Sequence, residues 1–152
     1  MKAFARCLFA LVLSCVLVMP SFAAEEFQKY AFSQATLEKY MAAGKEMQKL
    51  PKPPDAKAKD DDEEKDDPSV DEIARDLDKT PGVKPILVKY GFSSRDYALA
   101  TLALFNAGFY LAMEPSMDKK GRGELYGSYP KEMRANIELL RKNPQFMKDQ
   151  QR

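Results

Sequence analysis

The chain has 152 residues, with 24 basic against 23 acidic side chains, two cysteines and no histidine. That length accommodates one small domain. The balanced charge argues against a general nucleic-acid binder. The missing histidine excludes Ser-His and Cys-His nucleophile pairs and histidine-ligated zinc, copper or haem.

Lys2 and Arg6 precede an apolar run from Cys7 to Met19, and Pro20-Ser21-Phe22-Ala23 follows. This is the three-part pattern of a secretory signal peptide, residues 1–23, with small residues at Ser21 and Ala23 placing cleavage after Ala23. The alternative of a membrane anchor meets a run of thirteen residues, which is short for a bilayer. Leu13-Ser14-Cys15 offers a second alternative, lipidation at Cys15, but the apolar run continues through Val18 instead of stopping there. Cleavage removes two basic residues and leaves 22 against 23 acidic ones, a net charge of −1, with no cysteine and no stable transmembrane anchor. The expected location is periplasmic or secreted, where a domain without disulfides depends on apolar burial alone.

In the mature chain, residues 24–50 contain one amphipathic helix, with Leu37, Tyr40, Met41, Gly44, Met47 and Leu50 at helical spacing. Ser33 or Thr36 caps its start and Pro51 stops it. Such a helix docks either on the rest of this chain or on another protein. Residues 51–69, PKPPDAKAKDDDEEKDDPS, hold eight acids, four lysines and four prolines and nothing able to form a core, so a disordered acidic linker is predicted.

A helical domain is expected over residues 70–152. Ser69 and Glu72 form a capping box ahead of Val70, Ile73, Ala74 and Leu77. Thr80-Pro81-Gly82 ends that helix, a short one carries Val83, Ile86, Leu87 and Tyr90, and Gly91 suits a left-handed C-cap. Ser93 and Asp96 then open the stretch Tyr97 to Met113, which has no charge. Seventeen residues broken by Thr101, Asn106 and Gly108 suit a buried core helix better than a membrane span. Leu102, Phe105, Phe109 and Tyr110 are expected to fill the space around it. Glu114 to Pro130 contains three glycines and two prolines and is expected to form a long connection. Pro130 starts a last helix with Met133, Ile137 and Leu140, and Asn143-Pro144 ends it before a short turn through Phe146 and Met147. The fold class is all-α, a small bundle of four to five helices with a disordered acidic linker.

Chemistry-bearing motifs are sparse. Ser116 to Lys119 and Ser128 to Lys131 have the Ser-x-x-Lys spacing of penicillin-binding enzymes, but no Ser-Asp-Asn element accompanies them. The acidic tract Asp60 to Asp67 lacks the glycine and the spacing of a calcium loop. Met41, Met47, Met113, Met117, Met133 and Met147 are thioethers of the kind that hold copper(I), but Met41, Met47 and Met133 already have places on apolar stripes. No catalytic residue, metal site or cofactor is expected. The strongest binding candidates are Lys119, Lys120 and Arg122 beside Tyr126 and Tyr129, a mixture suited to an acidic protein surface. A second set, Phe105, Phe109, Tyr110 and Met113, would line an apolar pocket between helices closed by the 114–130 connection.

The stretch Lys89-Tyr90-Gly91-Phe92-Ser93-Ser94-Arg95-Asp96-Tyr97, with Ala100-Thr101-Leu102-Ala103-Leu104-Phe105 and the later Arg134-Ala135-Asn136-Ile137, resembles small exported bacterial proteins of unknown function over residues 70–145. The shared features are caps and core positions, so the resemblance implies export and an all-helical fold and no site. The expectation is an exported, non-enzymatic binding or interaction protein of the bacterial periplasm whose partner is another envelope or secreted protein. The alternative is a carrier of a small apolar ligand.

Overall fold

The structure, a computed structural model, describes residues 26–51 and 69–146. The signal peptide with Cys15 and the Ala23 cleavage point, the acidic linker from Lys52 to Pro68, and Met147 lie outside the described residues.

Among the described residues the fold is all-α: six α-helices and two single 3-10 turns. They are α1 (Gln34–Met47), α2 (Val70–Lys79), α3 (Val83–Lys89), α4 (Ser94–Met113), α5 (Lys119–Ser128) and α6 (Lys131–Lys142). The 3-10 turns are Phe27–Lys29 and Glu114–Ser116. The most extensive packing is that of α4 on α2 and on α6, so α4 is the element around which the others are laid.

Local chemistry sets most boundaries. Ser33 caps α1 by accepting from the Thr36 N–H. Ser69 with Glu72, and Ser93 with Asp96, form reciprocal capping boxes at the starts of α2 and α4. At the end of α3, Gly91 has φ +83°, its N–H reaches the Val88 carbonyl and the Phe92 N–H reaches the Leu87 carbonyl. This is the Schellman arrangement that only a residue free of a Cβ adopts without strain. Gly82, at φ +84°, precedes α3, and a Cβ there would lie 2.9 Å from a Leu50 methyl, because the end of α1 lies over this turn.

The core is shared by α1, α3, α4 and α6. Phe32, Leu37, Tyr40 and Ala43 pack in the same cluster as Leu87, Leu104, Met133, Ile137 and Leu140, so the N-terminal helix docks on its own chain. Met41 and Met47 are half-buried against that cluster and Met133 is fully buried in it. Val70, Ala98 and Leu99 make a smaller cluster under Phe27 and Tyr30. The side chain of Asn136 on α6 is fully buried and spans both hydrogen-bonding directions. It accepts from the Phe32 N–H at 2.9 Å and donates to the Tyr30 carbonyl at 2.7 Å. Gln34 and Asn143 add a second tie between the start of α1 and the end of α6.

The structure corrects the expected connection from Glu114 to Pro130, which contains a 3-10 turn and the helix α5, and so raises the helix count from the expected four to five to six. Asp118 caps α5 by accepting from the Gly121 N–H at 2.7 Å. Gly121, Gly123 and Gly127 lower helix propensity by up to about 1 kcal/mol each and hid this helix in the sequence. No residue of α5 is fully buried; the half-buried Leu125 and Tyr126 hold it to the core.

Asn136→Leu is expected to strand the Phe32 N–H and the Tyr30 carbonyl and to lower the unfolding free energy by about 2–4 kcal/mol, read by urea titration. A Cβ at Gly123 meets nothing within 4 Å. Gly123→Ala is therefore expected to stabilise α5 by about 0.5–1 kcal/mol, seen as slower amide exchange confined to residues 119–128.

Candidate functional site

From Tyr97 to Met113 α4 carries no charge, and three of its large apolar side chains stay exposed. Rows of residues four apart run along a helix surface as ridges. On α4 one such row is Thr101, Phe105, Phe109 and Met113, and the adjacent one is Leu104, Gly108 and Ala112. The first row is bulky and turned outward: Phe105 is 68% exposed, Phe109 55% and Met113 42%. The two phenyl rings are near parallel, 19° apart in plane with centroids 6.4 Å apart. The second row is small at Gly108 and Ala112. Between the rows and the neighbouring elements lies an apolar groove of about 320 Å³, lined by Thr101, Leu104, Phe105, Gly108, Phe109 and Ala112 of α4, Tyr40 of α1 and Phe146 of the C-terminal turn.

The polar atoms in this lining are paired. The Thr101 hydroxyl donates to the Tyr97 carbonyl at 2.8 Å, so the Tyr40 hydroxyl, 3.0 Å away, donates to it in turn. Tyr40 also stacks on Tyr97 at a centroid distance of 4.5 Å. Burial pushes the Tyr40 phenol above its ordinary range, and burial together with Tyr40 does the same to Tyr97. Tyr40 is the one ionisable residue in the lining, so the groove is uncharged.

The sequence candidates fall into three places. Phe105 and Phe109 do not fill the space between helices, as expected, but form an open wall facing solvent. Tyr110 is fully buried and lines no groove. It faces α5, with Tyr126 and Tyr129 at centroid distances of 5.9 and 6.0 Å. The expected pocket of Phe105, Phe109, Tyr110 and Met113 is thus not assembled, since neither Tyr110, Met113 nor the 114–130 segment lines the groove. On α5 the cations and tyrosines separate. Tyr126 turns inward and donates to Glu138 at 3.1 Å, with burial first and this bond second in pushing its phenol up. Lys119, Lys120 and Arg122 remain exposed. Lys120 pairs with Glu124 at 3.7 Å and Arg122 reaches the Met117 carbonyl at 3.4 Å. Tyr129, at the C-terminal cap of α5, is likewise half-buried against Tyr110.

Sequence reasoning missed Tyr40, Thr101, Leu104, Gly108, Ala112 and Phe146 as groove residues. The signal available was the pair of phenylalanines four apart beside the small Gly108 and Ala112. No group of three or more acidic, histidine or cysteine side chains suited to a metal occurs among the described residues, and no described helix is long and apolar enough to cross a membrane.

An uncharged groove binds a neutral probe independently of pH. A phenol with a raised pKa keeps its proton further into alkali, so any contribution of Tyr40 is fully present below its ordinary value of 10.0 and is lost only above it. Fluorescence of the neutral dye Nile red on the protein is expected to be flat between roughly pH 5 and 9. It should fall in the double variant Phe105→Ser, Phe109→Ser. A step within that pH window would show that a charged group shares the site.

No family model matches the chain, and neither a curated protein nor a solved structure matches it.

Proposed function

We propose that this chain is an exported, non-enzymatic helical binding protein of the bacterial periplasm, and that it engages another envelope or secreted protein through the groove along α4. The observation that carries this reading is the exposure of the stacked Phe105–Phe109 pair beside an uncharged hollow. Large apolar side chains held in water on a rigid helix mark a contact surface, and buried aromatic anchors dominate the energetics of such contacts. The groove is open along its phenylalanine wall. A small molecule there would keep much of its own surface in water, whereas ligand sites enclose most of theirs. A protein segment instead brings a second, solvated face of its own. Export rests on the signal-peptide pattern before Ala23, and the non-enzymatic reading on the absence of histidine and of any spaced catalytic set in the sequence.

A second reading, the carrier of a small apolar ligand, draws support from the groove volume, which lies at the lower end of the range for ligand sites.

Native mass spectrometry of the mature protein taken gently from its own envelope fraction separates these. The expected spectrum shows a protein-sized added mass that is lost in Phe105→Ser, Phe109→Ser and retained when Lys119, Lys120 and Arg122 are all changed to glutamate. Loss in the charge-reversed variant alone would move the interface to α5 and overturn the groove. An added mass of a few hundred daltons would establish the carrier instead.

A further inference from the structure

We infer that α5 opens as a unit while the rest of the fold stays closed, and that this makes the Arg122–Gly123 bond the site at which an endoprotease specific for basic residues nicks the folded protein. No residue of α5 lines the groove, so this device is separate from the contact proposed above.

Alone among the described α-helices, α5 contains no fully buried residue, and it packs extensively on no other single element. It has ten residues, with glycine at 121, 123 and 127. A helix shorter than about 12–15 residues holds in water only through its packing, and glycine weakens it further. Few contacts fasten it. Leu125 and Tyr126 are half-buried, the Tyr126 hydroxyl donates to Glu138 at 3.1 Å, and the Tyr110 hydroxyl donates to the Arg122 carbonyl at a long 3.5 Å. Extended residues bracket the helix, Met117 and Asp118 before it and Tyr129 and Pro130 after it. It can therefore unwind between them without disturbing α4 or α6. Segments with so few buried apolar contacts open at a small fraction of the global free energy.

A protease takes its substrate as an extended strand, so a bond inside a helix is cut only when that stretch opens. Lys119, Lys120 and Arg122 are exposed on α5 and supply the basic side chain that a trypsin-like endoprotease seats. The other arginines of the described residues stand on firmer elements. Arg75 lies on α2, which packs extensively on α4, and Arg95 is held by two hydrogen bonds to Glu26. Arg134 and Arg141 lie on α6, whose Met133, Asn136, Ile137 and Leu140 are fully buried.

Hydrolysis adds one water across the Arg122–Gly123 amide and leaves a carboxylate on Arg122 and an amino group on Gly123. The cut divides α5 into pieces too short to remain helical, which releases Tyr126 and uncovers one side of the Tyr110 ring. It does not release the C-terminal piece, because the buried residues of α6 and the two Asn136 hydrogen bonds to residues 30–32 stay in place. The nick is thus an irreversible way to expose a second apolar surface, at Tyr110, on a fold that stays assembled.

The chain from Lys52 to Pro68 contains lysine but no arginine, so an arginine-specific protease tests the described elements alone. In a brief digestion of the purified protein, read by mass spectrometry, each cut is rated against the same bond in a free peptide. Cleavage at Arg122 is expected to run about tenfold or more faster on this scale than at Arg75, Arg95, Arg134 or Arg141. The nicked product should have the mass of the intact chain plus one water under native conditions, and separate into two pieces only when denatured. Tyr126→Ala, which loosens α5, should speed the Arg122 cut about tenfold. Gly127→Ala meets nothing within 4 Å and leaves the scissile bond unchanged; it should slow that cut about twofold or more. Neither variant should change the cuts on α6. Equal rates at Arg122 and on α6, or a Tyr126→Ala variant that speeds both alike, would show that α5 opens only with the whole fold and overturn the inference. A faster cut at Arg75 or Arg95, or pieces that part under native conditions, would overturn it as well.

Discussion

The position of the segment from Tyr30 to Leu50 depends on one fully buried amide. Asn136 offers one acceptor and one donor to a stretch of chain more than a hundred residues earlier, the Phe32 N–H and the Tyr30 carbonyl. Buried backbone groups with no partner are costly, so these two bonds select a single register for residues 30–32 on α6. Once that register is set, Ser33 begins α1 at a defined point, Leu37 and Ala43 enter the core, and Leu50 reaches the turn at Gly82. The ion pairs around this segment are secondary. Glu26 with Arg95, and the half-buried Glu46 with the exposed Lys89, are formed at the surface, and such pairs contribute little to stability in water. The Arg95 guanidinium does hold the Glu26 carboxyl below its usual range, through its hydrogen bonds first.

The groove follows from the same amide. Tyr40 contributes to the lining only because α1 lies against α4, with the Tyr40 hydroxyl on Thr101 and its ring on Tyr97. The C-terminal turn contributes Phe146 only because α6 ends where Asn143 and Gln34 meet. The groove is thus assembled from three elements distant in sequence, and its side chains are held by packing and hydrogen bonds. Binding surfaces placed on such fixed elements lose little conformational freedom when occupied.

Much of the fold was legible because its boundaries are set by local chemistry. The capping boxes at Ser69 and Ser93, the left-handed Gly91 and the stop at Asn143 are all read from neighbouring residues, and the periodic positions Leu37, Tyr40, Ile137 and Leu140 are buried as their spacing implies. Two features resisted. The helix α5 contains three glycines, and its formation depends on Asp118 at its start and on Tyr126 packing against Tyr110, a contact made between elements. The outward turn of Phe105 and Phe109 was hidden because α4 has no charged face between Tyr97 and Met113, so periodicity cannot say which apolar side chains face water. Asn136, in turn, reads locally as one polar residue on an amphipathic helix, and its role exists only once residues 30–32 lie beside it.

Burying Ala98, Ala100, Ala103 and Ala107 brings the neighbouring backbones close to α4. Small residues on the covered sides leave the bulky ones no interior place, and Phe105 and Phe109 remain outside as a consequence of how tightly the rest is packed. Replacing them with polar residues would remove little that the monomer uses, since neither belongs to the core clusters. Their size and apolarity therefore serve no packing need of the monomer's own core. For this reason the proposed contact is assigned to the phenylalanine pair and not to the cations of α5.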